Sequence, residues 1–299
     1  MSAEHPPAAA IDVDAPLVAE LIAAQFPQWA DLPLVPVDSG GTDNTIYRLG
    51  TELSVRLPRV EWAVLSVEKE QRWLPGLAAH LPLDVPVPVA MGAPAEGYPW
   101  PWSVYAWLDG RDATVARPAD PRRAAVALAE FVAALQGIDA ADGPPPGAHN
   151  FFRGEPLARR DRDTRVAIAD LADLFDTDAL TARWEAALRA PGWTGPPVWI
   201  HGDLHAGNLL TVDGRLSAVI DFGGLAVGDP AADVMTAWSV LSADTRELFR
   251  AALAIDDATW ARARGWALTV AVVALAYYRD AGHAIEHSAR RQLDELLAE

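Results

Sequence analysis

Short apolar runs separated by glycine-containing turns dominate the first hundred positions and are typical of β-strands. The predicted strands are 34–37, 45–49, 53–57, 83–91 and 102–108. Between 61 and 79 the apolar residues recur at helical spacing, which predicts one amphipathic helix. Its predicted apolar face holds Trp62, Leu65, Trp73 and Leu77. This part of the chain is therefore predicted to be a mostly antiparallel sheet that carries one main helix.

Beyond residue 110 the pattern changes to long helical segments. The run 121–136 begins with proline and keeps apolar residues at helical spacing, which predicts a strong helix. Further helices are predicted at 161–175, at 178–190 and near the C-terminus, with short strands at 198–200 and 218–220. The chain is thus predicted to be an α+β protein with two lobes. The predicted division is a small lobe at 1–104, a hinge at 105–111 and a larger helical lobe at 112–299.

Composition and charge exclude several function classes. The 299 residues include no cysteine, so disulfides, cysteine-ligated metals and thiol catalysis are excluded. The 24 basic and 41 acidic residues give a net charge of −17, which argues against nucleic acid or an anionic membrane as a partner. The longest apolar stretch, 266–278, spans 13 residues and is too short to cross a bilayer. Since no signal peptide is evident at the amino terminus, a cytoplasmic protein is predicted.

Two polar motifs follow the short strands of the helical half. The first runs from His201 through Asp203 to Asn208, and the second is Asp221-Phe222-Gly223. Asn208 follows Asp203 by five positions (208 − 203 = 5), which is the spacing of a kinase catalytic loop. Asp221 follows by 18 (221 − 203 = 18), after a turn signal between two strands. Phosphoryl transfer needs one aspartate at the attacking hydroxyl and an Asn–Asp pair for Mg²⁺, and this pattern supplies both.

A competing interpretation treats three of these side chains as ligands of a transition metal. His201, Asp203 and His205 alternate along the chain, and alternating positions on a strand share a face. That interpretation leaves Asn208 and Asp221 unexplained. A structural role for His201 within the loop is the simpler expectation.

The two motifs, followed by Gly228-Asp229-Pro230-Ala231-Ala232-Asp233, resemble the aminoglycoside phosphotransferase family, whose members also include macrolide kinases. The resemblance runs from about Ser39 to Tyr278 and implies the two-lobed protein-kinase-like fold. By that resemblance Asp203 is the catalytic base, while Asn208 and Asp221 bind magnesium. Asp229 and Asp233 resemble a structural brace after the second motif, with substrate contact as the alternative.

The same resemblance assigns a nucleotide site to the small lobe. A glycine-containing turn supplies Ser39, Gly41 and Thr42, whose amides and hydroxyls suit phosphate oxygens. The family's common strand lysine is replaced by Arg56, with Glu70 as its expected partner. Lys69, the only lysine of the chain, is the alternative phosphate ligand. Its acidic neighbours predict an exposed helix position instead.

The predicted hinge completes the nucleotide site. It supplies Tyr105, Ala106, Trp107 and Leu108. Main-chain groups of Ala106 and Leu108 are the expected base contacts. Trp107 either stacks near the base or packs between the lobes.

These inferences predict a Mg²⁺-dependent O-phosphotransferase that uses ATP or GTP. The expected partner is a small molecule with a free hydroxyl, first an aminoglycoside antibiotic, then a macrolide, then a metabolic amino alcohol or sugar. The protein is expected to be a monomer or weak dimer. A non-catalytic nucleotide-binding regulator is the alternative from another class. The stretch 150–157 sets arginines beside aromatic residues and is either part of a substrate lid or a packed inter-helix loop.

Overall fold

The computed structural model describes residues 10–37, 43–279 and 284–299. Among them ten strands are formed. They are β1 (Leu34–Pro36), β2 (Asn44–Leu49), β3 (Leu53–Pro58), β4 (Pro88–Gly92), β5 (Trp102–Ala106), β6 (Arg111–Asp112), β7 (Val198–Ile200), β8 (Leu209–Val212), β9 (Arg215–Val219) and β10 (Ala226–Gly228).

Ten α-helices accompany these strands in the described residues. They are α1 (Ala15–Gln25), α2 (Glu61–Ala78), α3 (Pro121–Gln136), α4 (Asp161–Asp170), α5 (Thr177–Leu188), α6 (Ala231–Val234), α7 (Thr236–Ser239), α8 (Ala243–Ala252), α9 (Asp257–Tyr278) and α10 (Ala284–Leu297).

The first five strands form one antiparallel sheet in the order β1-β2-β3-β5-β4. Val55 and Leu57 occupy alternate positions of β3 and are buried, and Val104 of the largely buried strand β5 is buried beside them. They pack with Val18 and Leu21 of α1, a helix that the apolar pattern did not predict, in one apolar core. A sheet covered on one face by a helix is the expected way to bury alternating side chains.

Helix α2 lies where the pattern predicts it, but its buried face differs from the predicted one. Leu65 is 58% exposed, so its assignment to the apolar face is wrong. Glu70 is buried instead, on the same side as Leu74 and Leu77. Leu74 and Leu77 pack into the core of the helical half rather than into the core of the sheet. Glu70 can be buried because two polar side chains donate hydrogen bonds to its carboxylate, as described below.

The helical half surrounds α9, a helix of 22 residues that contacts α4, α5, α6 and α10. Two short β-units lie on this bundle: β7 pairs with β10, and β6 pairs with the β8–β9 hairpin. The α+β fold with a five-stranded N-terminal sheet and a helical C-terminal region confirms the predicted fold class. The division at 1–104, 105–111 and 112–299 stays a prediction.

No helix within the described ranges is both long enough and apolar enough to span a bilayer. The longest apolar run of the sequence lies in α9, where Trp266, Leu268 and Val272 are buried in the core. It is a core helix, as the pattern predicts.

Candidate active site

Two strand ends and one hairpin bring the sequence motifs together. Strand β7 ends at Ile200 and leads directly into His201, while β8 and β9 return the chain to Asp221. The backbone N–H of Ile220 donates to the carbonyl of Asn208 at 2.9 Å, which fixes Asn208 beside the second motif. The Asn208 side chain donates to the carbonyl of Asp203 at 3.0 Å. The hairpin therefore holds the predicted base and both predicted metal ligands at one end of the β8–β9 pair.

Asp203 has a basic side chain on each side of its carboxylate. Nη2 of Arg153 lies 3.0 Å from Oδ1, and Nε2 of His205 lies 3.8 Å from Oδ2. Burial alone raises the pKa of Asp203, but Arg153 and then His205 lower it below its ordinary value. Asp203 is therefore an ionised carboxylate at neutral pH, with 31% of its side chain exposed.

His201 is a structural member of the loop. Its Nε2 lies 3.1 Å from the carbonyl of Ile220, and its Nδ1 accepts from the backbone N–H of Asp203. Burial lowers the pKa of His201 to about 4, so the ring is neutral. Both ring nitrogens are occupied by the loop. No cluster of three His, Asp or Glu side chains suited to a metal occurs among the described residues. Because both of its ring nitrogens are bonded within the loop, His201 does not fit the role of a transition-metal ligand.

Two aspartates after the second motif make buried polar contacts, and one of them, Asp233, bonds directly to the loop. The carboxylate of Asp233 accepts from the backbone N–H groups of His201 and Gly202 at 2.8 and 2.7 Å. Burial raises the pKa of Asp233 to about 7, against the lowering effect of these two donors. Asp229 forms a buried pair with Arg262 at 2.7 Å. Both contacts are those of a structural brace.

Arg56 bridges the sheet, α2 and the second motif. Its Nη1 donates to both carboxylate oxygens of Glu70, at 2.9 and 3.2 Å, and its Nη2 donates to Oδ1 of Asp221 at 2.7 Å. Tyr105 donates a short hydrogen bond to Glu70. Burial raises the pKa of Asp221, but Arg56 and the N–H of Gly223 lower it below the ordinary value. Glu70 is 1% exposed, and the positive charge of Arg56 offsets the cost of burying its carboxylate.

Lys69 does not occupy the exposed position that its neighbours predict. Its Nζ donates to the carbonyl of Gly223 at 2.6 Å and lies 3.0 Å from Nδ1 of His149. Burial lowers the pKa of Lys69 to about 8, although Glu70 and Asp221 raise it. The expectation of an exposed lysine is therefore wrong. The acidic neighbours of Lys69 predict an exposed position, but one of those neighbours, Glu70, is itself buried.

The predicted hinge connects the sheet to the helical half. The backbone N–H of Ala106 donates to Val87, and that of Trp107 donates to Glu52 at 2.7 Å. The Trp107 ring stacks on the guanidinium of Arg48 at 4.5 Å. Leu108 follows the end of β5. The predicted phosphate loop residues Ser39, Gly41 and Thr42 lie outside the described residues.

Arg153 is a site residue that the motifs do not identify. In the sequence, the stretch 150–157 is distinguished only by arginines beside aromatic residues, a pattern that indicates no partner for Arg153. The ion pair with Asp203 joins positions 50 apart in sequence (203 − 153 = 50), and such a pair has no local signal. Only the fold brings Arg153 to Asp203.

The oxygen donors of the site suit Mg²⁺. Asn208 and Asp221 offer amide and carboxylate oxygens, the hard ligands that this ion prefers. Both contacts that Asp221 makes with Arg56 and Gly223 use Oδ1, and 45% of its side chain is exposed. The residues present therefore fit the metal that the motif implies.

Comparison with known proteins agrees with this geometry. The model of the phosphotransferase enzyme family matches residues 35–266. No sequence among the curated proteins matches the chain significantly.

Three solved structures illustrate the likeness. The GDP complex of aminoglycoside 2'-phosphotransferase-IIIa superposes with a TM-score of 0.73 at 21% identity, covering 96% of this chain and 99% of the other. A GDP and kanamycin complex of APH(2")-IIia gives 0.71 at 21%, covering 94% and 98%. The macrolide 2'-phosphotransferase MphH from Brachybacterium faecium gives 0.61 at 26%, also covering 94% and 98%. These matches confirm the predicted resemblance, and the chain belongs to the phosphotransferase enzyme family.

Proposed function

We propose that the protein transfers the γ-phosphoryl group of ATP or GTP to a hydroxyl of a small molecule, with Mg²⁺ as the required metal. The observation that carries this proposal is that hydrogen bonds hold Asp203, Asn208 and Asp221 close together. Asn208 bonds to Asp203 through its side chain and to Ile220, the neighbour of Asp221, through its carbonyl. Phosphoryl transfer needs little covalent help from the protein, because positioning and charge stabilisation supply most of the catalysis.

Asp203 is the proposed catalytic base. It is ionised, partly exposed and fixed by its backbone bonds to His201 and Asn208. As the acceptor oxygen bonds to the γ-phosphorus, the bond to the β–γ bridging oxygen breaks. The nucleoside diphosphate leaves, and the hydroxyl proton passes to Asp203. A neutral His201 supports this role because it holds the loop without competing for the proton.

The metal and nucleotide ligands complete the proposal. Asn208 and Asp221 would hold Mg²⁺, which when bound neutralises charge on the nucleotide phosphates. Arg56 would bind the α- and β-phosphates, steadied by Glu70, and Ser39, Gly41 and Thr42 would contact phosphate oxygens. The main chain of Ala106 and Leu108 would receive the base, beside Tyr105 and Trp107. This assigns the nucleotide to the small lobe and hinge, and the acceptor to the helical lobe.

The first acceptor class that we propose is the aminoglycosides. The net charge of −17 favours cationic ligands, and the APH(2")-IIia structure similar to this chain holds kanamycin. Macrolides are the second class, because the macrolide 2'-phosphotransferase shares 26% identity over 94% of the chain. Antibiotic resistance, action in the cytoplasm and a monomer or weak dimer belong to the same proposal.

A mass-spectrometric transfer screen tests the proposal. Purified protein is incubated with Mg²⁺, ATP or GTP, and a panel of aminoglycosides, macrolides and small amino alcohols. We expect one acceptor to gain a single phosphoryl group. The D203A variant and a sample with excess EDTA should give no product.

The outcomes separate the alternatives. A phosphorylated acceptor from wild type alone identifies the acceptor class and the nucleotide together. Nucleotide binding without transfer to any acceptor, and without hydrolysis, would favour the alternative function, a non-catalytic nucleotide-binding regulator. Equal turnover by D203A would remove Asp203 from its proposed role.

A further inference from the structure

The contact between Arg153 and Asp203 lies in the candidate active site, yet neither motif explains it. Arg153 is 12% exposed and places Nη2 3.0 Å from Oδ1 of Asp203. Among the described residues, Asp203 is the only carboxylate in ion-pair contact with Arg153. An arginine held on the predicted base must affect how that base meets its acceptor.

The loop that carries Arg153 is fixed in an uncommon conformation. Phe151 and Phe152 precede Arg153 with φ of 56° and 59°, and Gly154 follows it with φ of 92°. Left-handed backbone at two bulky residues costs of the order of 1–3 kcal/mol each and persists only where surrounding structure imposes it. Such strain is concentrated at functional sites.

Contacts on both sides of Arg153 impose this conformation. The buried side chain of Asn150 accepts from the N–H of Gly147 at 2.9 Å and donates to the carbonyl of Arg153 at 2.8 Å. The carbonyl of Gly154 accepts from the N–H of Asp229 at 3.0 Å. A Cβ on Gly154 would lie 2.7 Å from Cδ1 of Ile200, the last residue of β7 before the catalytic motif. The loop is therefore tied to the same strands that position Asp203.

We propose that Arg153 is the positioning residue of the base: it holds Oδ1 of Asp203, so that Oδ2 is the oxygen that meets the acceptor hydroxyl. This inference rests on the proposed role of Asp203 as the base. The other neighbour of the carboxylate, His205, lies 3.8 Å from Oδ2, beyond hydrogen-bond distance. Without Arg153, the carboxylate loses the contact that distinguishes its two oxygens.

Substitutions of Arg153 test this role, with Arg159 as the matched control. Arg159 lies on the same segment, stacks on Phe152 at 4.2 Å, is 47% exposed and pairs with Glu155 rather than with Asp203. The assays are transfer to the acceptor from the screen and hydrolysis of the same nucleotide, in which water is the acceptor. R153M, R153K, R153A, R159M and D203A are compared.

We expect R153M to lower kcat by about 10- to 100-fold while the nucleotide KM changes by less than about 3-fold, as for a misplaced reacting group. R153K should recover part of the loss, because lysine restores the charge but not the planar fork. Millimolar guanidinium should raise the activity of R153A and leave that of D203A unchanged. R159M should match wild type.

Several results would overturn the inference. An unchanged kcat in R153M would mean that the Arg153–Asp203 pair does not contribute to transfer. A higher kcat would mean that the pair inhibits Asp203. A loss confined to nucleotide KM, or an equal loss in R159M, would indicate general disturbance of the loop. If R153M does not fold, R153K and the rescue of R153A decide the question.

The proposed function fails in a different way. If D203A turns over like wild type, or wild type neither transfers nor hydrolyses, Asp203 is not a base and the inference falls with it. If D203A is inactive and R153M is normal, the inference alone is wrong.

Discussion

At the scale of single residues, the guanidinium of Arg56 bridges two carboxylates that come from different parts of the chain. Its two terminal nitrogens contact Glu70 and Asp221 at the same time, at 2.9 and 2.7 Å. A lysine would have to contact both carboxylates from one compact ammonium, whereas the planar fork of Arg56 uses a separate nitrogen for each. The replacement of the family's common lysine is therefore compatible with a charged, preorganised site.

Removing this guanidinium should destabilise the fold. R56M leaves the carboxylate of Glu70 buried without its cation, and loss of one partner of a buried pair costs about 3–5 kcal/mol. Denaturant unfolding should show this loss, with a smaller one for R56K. The double variant R56M/E70M should recover part of the stability, since it removes the stranded charge. A double variant no more stable than R56M would refute this explanation.

His201 makes the stability of the fold depend on pH. An unfolded histidine binds a proton near pH 6.5, but folded His201 binds one only near pH 4. As the pH falls from 6.5 to 4, His201 is protonated in the unfolded state but stays largely neutral in the folded state. His201 therefore lowers the free energy of unfolding by about 3 kcal/mol at pH 4. Asp233 acts in the opposite direction, because its raised pKa gives the folded state a proton below about pH 7.

Variants separate these opposed contributions. The stability advantage of wild type over H201Q should shrink by about 3 kcal/mol between pH 6.5 and pH 4, because only wild type carries the penalty. H80Q, which alters an exposed histidine just after α2 and away from the site, should follow wild type. Urea unfolding at half-unit pH steps measures both differences. A constant difference between wild type and H201Q would contradict a depressed pKa at His201.

How much of the site the sequence predicts depends on how local each signal is. Asp203, Asn208 and Asp221 are identified by spacing, because one loop and one hairpin carry all three. Burial of Glu70 and Lys69 could not be predicted, since it depends on what α2 meets after folding. The contact of Arg153 with Asp203 could not be predicted either, because it joins segments that only the fold brings together.

At the scale of elements, α2 connects the sheet to the second motif. Glu70 reaches Asp221 through Arg56, and Lys69 binds the carbonyl of Gly223 directly. Leu74 and Leu77 anchor the rest of the helix in the core of the helical half. The periodicity predicts the extent of α2 well. It misplaces the buried face because Leu65 is exposed while the charged Glu70 is buried.

Lys69 allows this connection to be measured, because it is the only lysine. Burial lowers the pKa of Lys69 to about 8, so a larger share of its amine is neutral at pH 8 than in an exposed lysine. Acetic anhydride labelling, followed by peptide mass spectrometry, should show a midpoint near pH 8 at Lys69. K69R should lose the label from that peptide but not from the amino terminus. A midpoint near 10.5 would show that Lys69 is solvated and not bound to Gly223.

At the scale of the whole molecule, the two halves share packing and charge. One apolar core holds the sheet and α1, while the larger core includes residues of α2 with those of α3 and α9. Arg56 of the sheet also pairs with Asp221 of the helical half. A molecule joined in these two ways is expected to unfold cooperatively.

Nucleotide binding should therefore stabilise both halves together. A ligand at about 100 times its Kd adds about 2.7 kcal/mol, which corresponds to a rise of about 4 °C in Tm for a chain of 299 residues. We expect one transition by far-UV and near-UV circular dichroism, shifted upward by Mg²⁺ with ATP or GTP. EDTA or the D221N variant should remove most of the shift, since Asp221 is a proposed metal ligand. Two transitions, of which only one responds to nucleotide, would show that the halves fold independently and that the Arg56 bridge does not couple them.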